Sequence, residues 1–349
     1  MAGIAKMKIL FVGDGSYDMY SKAFFKAACD MDDVEADLLE YGDMNIKTIP
    51  HKNYLKRAEY HLCCGPDVSR INHELLERYE LNKYDIVFLY SAELIYPTTV
   101  KKLKKQGAYI AIYHNDNPFS EGAKKYRYRH FVKSIKYSDI AYSYRNNNMN
   151  DYKDKGAKRV KLLRSYYIAE RNFYIDDSNI ALGVPEVCFV GHFEDDGRKE
   201  LIQELLNENI KVGVPEDWRE QKLAGENIVY LENSHKNYNA ILNKTKIAIV
   251  FLSSLNKDTY TRRCFEIPAV KTMMLAPYTS DIASLYEESR EAVLFHDKND
   301  FVNKIKYYLS HEEERLKIAE AGYKRLMSDG HEAKDRIREI ISDWQERDK

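Results

Sequence analysis

Apolar runs of strand length recur along the chain and alternate with longer stretches of helical period. The first is KILFV (Lys8–Val12), followed by the turn GDGS; VEADLLE, DIVFLY, GAYIAIYH, DIAYSY and RVKLL come after it. Helix-length segments such as Ile71–Glu80 and Thr98–Gln106 lie between them. Strand–helix–strand repetition of this kind predicts a parallel sheet covered by helices on both faces. A second series begins near Pro185, with strands VCFVG, IKVGV, NIVYL, IAIVFL, TMMLA and AVLF and helices over Gly197–Asn207, Tyr238–Lys244 and Asp281–Glu287. The join, Tyr174–Pro185, is polar and ends in Gly and Pro, as a linker does. From Asn299 onward the chain is charged, with apolar residues at helical spacing.

This pattern predicts an α/β protein of two Rossmann-like domains: 1–178, 179–330, and a final helix over 331–349 able to cross back to the first domain. Two such domains in tandem would enclose a cleft. Ligands of open parallel sheets bind beyond the carboxyl ends of the strands, so the residues that follow each strand are the ones to read for chemistry.

Composition narrows the classes. The 349 residues are 44% hydrophobic and 31% charged, ordinary for a globular enzyme, and the net charge of -1 supplies no global attraction for nucleic acid or membrane. The five cysteines are scattered apart from Cys63-Cys64, which fits a reducing compartment better than a disulfide framework. Neither C-x-x-C nor H-E-x-x-H occurs, arguing against a structural or zincin-type metal site. The N-terminus lacks a signal pattern, and no apolar run approaches the roughly 20 residues of a membrane helix. The expectation is a cytoplasmic protein, either free or peripheral at the inner membrane face.

Several segments after strands carry candidate chemistry. Gly13 and Gly15, after the first strand, would permit close backbone approach to a ligand, although the third glycine of a dinucleotide fingerprint is replaced by Asp18. YHNDNP (Tyr113–Pro118) offers His114 and Asp116 as general bases or sugar contacts; the competing reading is an Asn/Asp/Pro turn. Glu93 is a weaker candidate on the same logic. In VGHFEDDGRKEL, Gly191 and the basic Arg198 and Lys199 near a helix start would suit a diphosphate, or else form a solvated helix face. In DTYTRRCFEIPAVKTMM (Asp258–Met274), Pro268 points to a helix start just after Glu266, where a carboxylate is favoured by the helix dipole. Lys101–Lys105 and Lys124–Tyr137 are basic, the latter with interleaved aromatics. They could hold phosphates or anionic lipid heads, and otherwise form solvated helix faces.

The second half resembles the donor domain of GT-B glycosyltransferases, in particular the CgeB-like (spore maturation protein) group. The resemblance rests on FVGHFEDDGRKELIQEL, IKVGVPEDW, YNAILNKTKIAIVFLSS, TRRCFEIPAVKTMMLAPYTSDIASLYEESREAVLF and KIKYYLSHEEERLKIAEAGYKRL, from Val187 to about His331. The first half is similar more loosely, through its strands and YHNDNP. Relatives carry an E-x7-E motif, kept here as Asp258-x7-Glu266. The resemblance implies that Glu266 holds ribose hydroxyls, that Asp258 and Thr259 lie near the donor sugar, and that Arg263 and Arg198 face the diphosphate. Tyr238 or the Val214–Trp218 loop would flank the base. Lys271 stands where relatives usually have glycine, either adding a phosphate contact or holding the backbone further off.

The resemblance thus implies transfer of a sugar from a nucleotide-diphosphate donor, UDP favoured, to a glycan, lipid-linked, protein or other acceptor, with no metal and no further cofactor. Such transfer passes through an oxocarbenium-like state while charge builds on the departing diphosphate. The E-x7-E kinship favours retention, whereas a base at Asp116 or His114 favours inversion. Alternatives are a nucleic-acid-binding protein or a DNA-directed glycosyltransferase using Lys124–Tyr137, and a catalytically inactive nucleotide-sugar-binding protein. Peripheral contact with anionic membrane or nucleic acid would run through the two basic segments. The sequence leaves the oligomeric state open.

Overall fold

The computed structural model describes residues 6–41, 52–176, 183–232 and 237–347. They form two compact units, one of the described residues up to Arg164 together with Ala333 onward, the other running from Ser165 to Glu332.

The first unit is built on strands β1 (Met7–Gly13), β2 (Val34–Glu40), β3 (Ile86–Tyr90), β4 (Ile110–His114), β5 (Ile140–Ser143) and β6 (Val160–Leu162). They pair in the order β2-β1-β3-β4-β5-β6, every pair parallel. β3, β4 and β5 are buried at every position, as strands covered on both faces must be. The covering helices are α1 (Ser21–Cys29), α2 (Tyr54–Leu62), α3 (Pro66–Asn82), α4 (Pro97–Lys105), α5 (Lys125–Ser134) and α6 (Met149–Asp154). α3 shows how local sequence sets an end: Pro66 occupies the first turn, where its missing N–H costs nothing, and Asp67 complements the dipole there. The chain's last helix, Ala333–Gln345, buries Ile337 and Ile340. It is fixed to this sheet by Asp343, which accepts a buried hydrogen bond from Tyr142 Oη (2.8 Å) and pairs with Lys161.

The second unit holds β7 (Val187–Cys188), β8 (Val212–Pro215), β9 (Ile228–Leu231), β10 (Ile247–Ile249), β11 (Met273–Pro277) and β12 (Val293–Phe295), in the order β12-β11-β10-β7-β8-β9. All pairs are again parallel. Its helices are α7 (Arg198–Asn207), α8 (Tyr238–Lys244), α9 (Arg263–Ala269), α10 (Ser280–Leu285), α11 (Lys298–Ser310) and α12 (Glu312–Asp329), which makes Ala333–Gln345 α13. The side-chain caps are those the sequence offers: Thr279 accepts from the Ile282 N–H and Asp297 from the Asp300 N–H.

Every apolar run of the sequence carries one of these strands. The two sheets differ in strand order, so their switch points differ. In the first unit the chain reverses direction across the sheet between β1 and β3, in the second between β7 and β10. At such points the loops after adjacent strands diverge and leave a crevice for a ligand.

Candidate active site

In the second unit the crevice is bounded by the loops after β7 and β10 and by α9. Arg198 stitches the two loops together. Its guanidinium donates to both carboxylate oxygens of Asp196 (2.6 and 2.5 Å), to the His192 carbonyl (2.8 Å) and to the Leu252 carbonyl (3.4 Å). It is 4% exposed, and four of its five N–H directions are occupied. Glu194 reinforces the seam by accepting from the Ser253 hydroxyl at 2.7 Å. Burial opposes ionisation of Glu194, but hydrogen bonds from His192 and Ser253 and the Arg198 charge outweigh it and hold its carboxyl below the ordinary range.

Arg263 is differently placed. It opens α9 and is half-buried; its Nε donates to the Val190 carbonyl (3.2 Å), and its guanidinium lies over the Phe189 ring. Among the described residues its two terminal nitrogens have no hydrogen-bond acceptor and no ion-pair partner. The close approach explains Gly191: a Cβ there would run into the guanidinium and the Phe189 ring. Trp218 fixes the same loop from below by donating from its indole N–H to the Gly191 carbonyl (2.9 Å), and is itself fully buried.

One turn along α9, Glu266 is 4% exposed and accepts from the Tyr238 hydroxyl at 2.6 Å. That is the one hydrogen bond to its carboxylate among the described residues, so acceptor capacity remains. Burial, then the Glu266 charge, pushes the Tyr238 phenol well above its ordinary value, so the phenol stays a donor. Arg171 covers the Tyr238 ring. Tyr238 is therefore a support for Glu266; Val214 and Pro215 end β8, Glu216 and Asp217 are exposed in the helical turn that follows, and Trp218 is buried. Thr259 is pinned by Asp281, whose carboxylate accepts its hydroxyl at 2.6 Å, while the Thr259 carbonyl accepts from Thr279. The Asp258 N–H donates to the Ser253 carbonyl, which places Asp258 beside the β10 loop.

Two features of α9 depart from expectation. The helix begins at Arg263, and Pro268 lies inside it. A proline there cannot donate to the carbonyl four residues back, that of Cys264. The buried Tyr286 hydroxyl donates to it instead, at 2.8 Å. Lys271 has φ 56° and follows the helix end. Its N–H bonds to the Pro268 carbonyl and that of Thr272 to Ile267, the paired closing bonds of a Schellman motif. Its side chain turns to α12, pairing with Glu320 (3.1 Å) and lying over Tyr323.

In the first unit, the carboxyl ends of β3 and β4 carry a polar chain whose middle members, His114 and Glu93, are buried. His114, 1% exposed at the end of β4, accepts the Asp116 N–H at Nδ1 (3.0 Å). Its proton therefore sits on Nε2, which donates to Glu93 (3.2 Å). The other oxygen of Glu93 accepts from Arg127 Nε at 2.5 Å. Burial disfavours the Arg127 charge, yet the Glu93 carboxylate more than offsets it and holds the guanidinium protonated beyond its ordinary range. Both ring nitrogens of His114 are engaged. Asp116 is half-exposed, with a long 3.4 Å contact from the Tyr128 hydroxyl. Gly13 ends β1 opposite Tyr90, and a Cβ there would meet the Tyr90 carbonyl and Ser21 at 2.8 Å; one at Gly15 would strike the Glu40 side chain. Both glycines are thus demanded by packing. Ser91, after β3, holds a left-handed φ of 46° and donates its hydroxyl to Asn115 (2.9 Å).

Sequence reading missed Asp196, Glu194 and Asp281, each a partner of a residue it did single out, and it read Arg127 only as part of the basic segment Lys124–Tyr137, not as the partner of Glu93. Their signal was position: Asp196 lies two residues before Arg198, and Arg127 sits in the first turn of the helix after YHNDNP. Of the basic segments, Lys104 of α4 pairs with Asp139, just before β5, and Lys101, Lys102 and Lys105 are exposed. Among the described residues no group of three or more His, Cys, Asp or Glu side chains is gathered to hold a metal, and no helix is long and apolar enough to cross a membrane.

Residues 198–342 match a family model described as glycosyl transferase-like. Among curated proteins no significant match was found. A solved sucrose-phosphate synthase from Thermosynechococcus elongatus is similar at TM-score 0.68 and 11% identity, covering 98% of this chain and 99% of that one. Anabaena HepE in complex with UDP-glucose gives 0.66 at 9%, covering 97% and 100%. A glycosyltransferase from Rickettsia africae gives 0.63 at 14%, covering 99% of each chain. At these identities the likeness is one of fold: two parallel-sheet, Rossmann-like units of the GT-B kind with a helical C-terminus, the architecture that the alternation of apolar runs predicts.

Proposed function

We propose that the protein is a GT-B glycosyltransferase of the CgeB-like group that takes a sugar from a nucleotide-diphosphate donor, UDP favoured. The observation that carries this reading is the pair formed by Arg263 and Glu266 on α9 at the second unit's switch point. Arg263 offers two unpaired nitrogens beside a glycine that lets it approach the β7 loop, and Glu266 keeps acceptor capacity three residues from it in the first turn of the helix. In this role Arg263 neutralises the leaving diphosphate and Glu266 accepts from ribose hydroxyls. Asp258 and Thr259 border the sugar, Thr259 held by Asp281. Arg198 holds the loops that frame the site, and Lys271 stands outside it. The charge that builds on the leaving group is met by Arg263, so the proposed reaction uses no metal. Support for UDP comes from the HepE complex with UDP-glucose, and for transfer from the family match over 198–342.

On the acceptor side the proposal assigns Asp116, the accessible carboxylate, and gives His114 a positioning role through its bond to the Asp116 N–H. The E-x7-E kinship favours retention; an Asp116 base would give inversion, and NMR of the first-formed product anomer separates the two. The primary test is a thermal-shift screen with UDP, GDP, TDP and CMP and their sugars, followed by turnover of the donor that binds. A nucleotide that binds the native state raises the melting temperature. Arg263→Ala should then lower turnover by roughly 10²–10³ at unchanged melting temperature. Wild-type turnover in that variant would remove Arg263 from the mechanism, and binding with no transfer or hydrolysis would favour an inactive nucleotide-sugar-binding protein.

A further inference from the structure

A cavity of about 490 Å³ lies in the first unit, between α5 and α6 and behind the Asp116 loop. That volume is in the range of small-molecule sites. Its apolar wall is Pro118, Phe119 and Val132, completed by the ring of Tyr128. Its charged rim comes from two helices. Lys125, Arg129 and Lys133 recur at four-residue spacing on α5 and so share one face. Lys155 closes α6 on the other side, near Asp151 and Asp154. Four cations against two carboxylates leave a surplus of positive charge.

The cations are not equivalent. Arg129 donates to the carbonyls of Tyr126 and Leu62 and is held away from free service. Lys125, Lys133 and Lys155 are exposed, and none of the three has an ion-pair partner among the described residues. Asp151 is oriented by the Asn148 side chain (2.9 Å), which fixes the acidic wall. Three unpaired ammonium groups around an apolar concavity differ from a solvated helix face, where no such wall is at hand to hold the uncharged part of a ligand.

We propose that this cavity binds an anion carried on an apolar or aromatic body. A phosphate or comparable group sits among Lys125, Lys133 and Lys155, and the body packs on Phe119 and Val132. The cavity shares no residue with the Arg263 site, so the proposal does not rest on the donor reading, although its Tyr128 also contacts Asp116.

The test uses the full chain with phenyl phosphate, inorganic phosphate and neutral phenyl glucoside, read by calorimetry at low salt. Phenyl phosphate is expected to bind at one site, about tenfold more tightly than inorganic phosphate, with phenyl glucoside failing to bind. The K125Q/K133Q/K155Q variant should weaken phenyl phosphate by roughly tenfold or more, since it removes all three unpaired ammonium groups. Its melting temperature and any UDP-induced shift should stay at wild-type values. Phe119→Ser should weaken phenyl phosphate and leave inorganic phosphate unchanged. Lysine-dependent sedimentation with phosphatidic acid vesicles would identify a lipid headgroup as the source, and phenyl phosphate binding without sedimentation a soluble ester. Absent binding of phenyl phosphate, equal binding of phenyl glucoside, or unchanged affinity in the triple variant would overturn the proposal.

Discussion

Arg198 and Arg263 look equivalent in the sequence, both arginines near a helix start after a strand, and in the fold they have opposite tasks. Arg198 is buried on Asp196 and two carbonyls, while Arg263 has one backbone contact. Removing Arg198 leaves Asp196, also buried, without its counter-charge. Arg198→Ala should therefore cost about 3–5 kcal/mol of stability, and adding Asp196→Ala should recover part of it. Denaturant midpoints of the two variants check this; an Arg198→Ala protein as stable as wild type would contradict the role given to it. Residue type and spacing located both arginines, but not which guanidinium is occupied: Asp196 and His192, near Arg198 in sequence, close on it only once their loop folds, and Leu252 is brought from after β10. Lys271 is the reverse case. The glycine expected there is the residue that closes a Schellman motif, since φ is positive. Lys271→Gly relieves left-handed backbone and loses a partly exposed pair with Glu320. The net change should stay within about 1 kcal/mol, and turnover should not move. A large loss of turnover would return Lys271 to the site.

At the scale of elements, the strands were legible because a parallel strand buried on both faces is apolar at nearly every position, a signal that survives even in the three residues of β10. Helix α9 was misread at its start. Proline usually marks a first turn, and Pro268 instead sits within the helix because Tyr286, eighteen residues later, donates to the carbonyl that proline leaves unpaired. A long-range partner of that kind is invisible to a window of neighbouring residues. It also makes a double-mutant cycle informative. Tyr286→Phe alone strands the buried Cys264 carbonyl and should cost about 1–3 kcal/mol. In a Pro268→Ala background the new N–H can reach the same carbonyl, so the second cost should be smaller. Equal costs in both backgrounds, measured by denaturant unfolding, would mean that Tyr286 stabilises α9 by packing alone.

Over the whole molecule, buried acidic groups are distributed between both units, and together they set the response to alkali. Burial first, with Glu93 adding to it, pushes the Cys63 thiol in the first unit up to about 11. In the second unit burial raises Cys188 to about 11 and Cys264 to about 12, against an ordinary 9.0. The phenols of Tyr142, Tyr238 and Tyr286 lie well above their ordinary 10.0, again through burial and then a nearby acidic group. Each of these groups is neutral when folded and ionises more readily once the chain unfolds. The native state binds more protons above pH 9, so their stabilising contribution is complete below that pH and is lost as the pH rises through the folded values. Each group ionised only in the unfolded chain lowers stability by about 1.4 kcal/mol per pH unit. Denaturant midpoints should be level from pH 7 to about 8.5 and fall steeply beyond pH 9. Tyrosinate absorbance from Tyr142, Tyr238 and Tyr286 should appear only with unfolding, since ionising any of them in place would put a charge beside Asp343, Glu266 or the Cys264 carbonyl. A midpoint that held constant to pH 10.5 would mean that these groups reach water without the fold opening, and that the packing described around α9 and α13 is looser than their hydrogen bonds require.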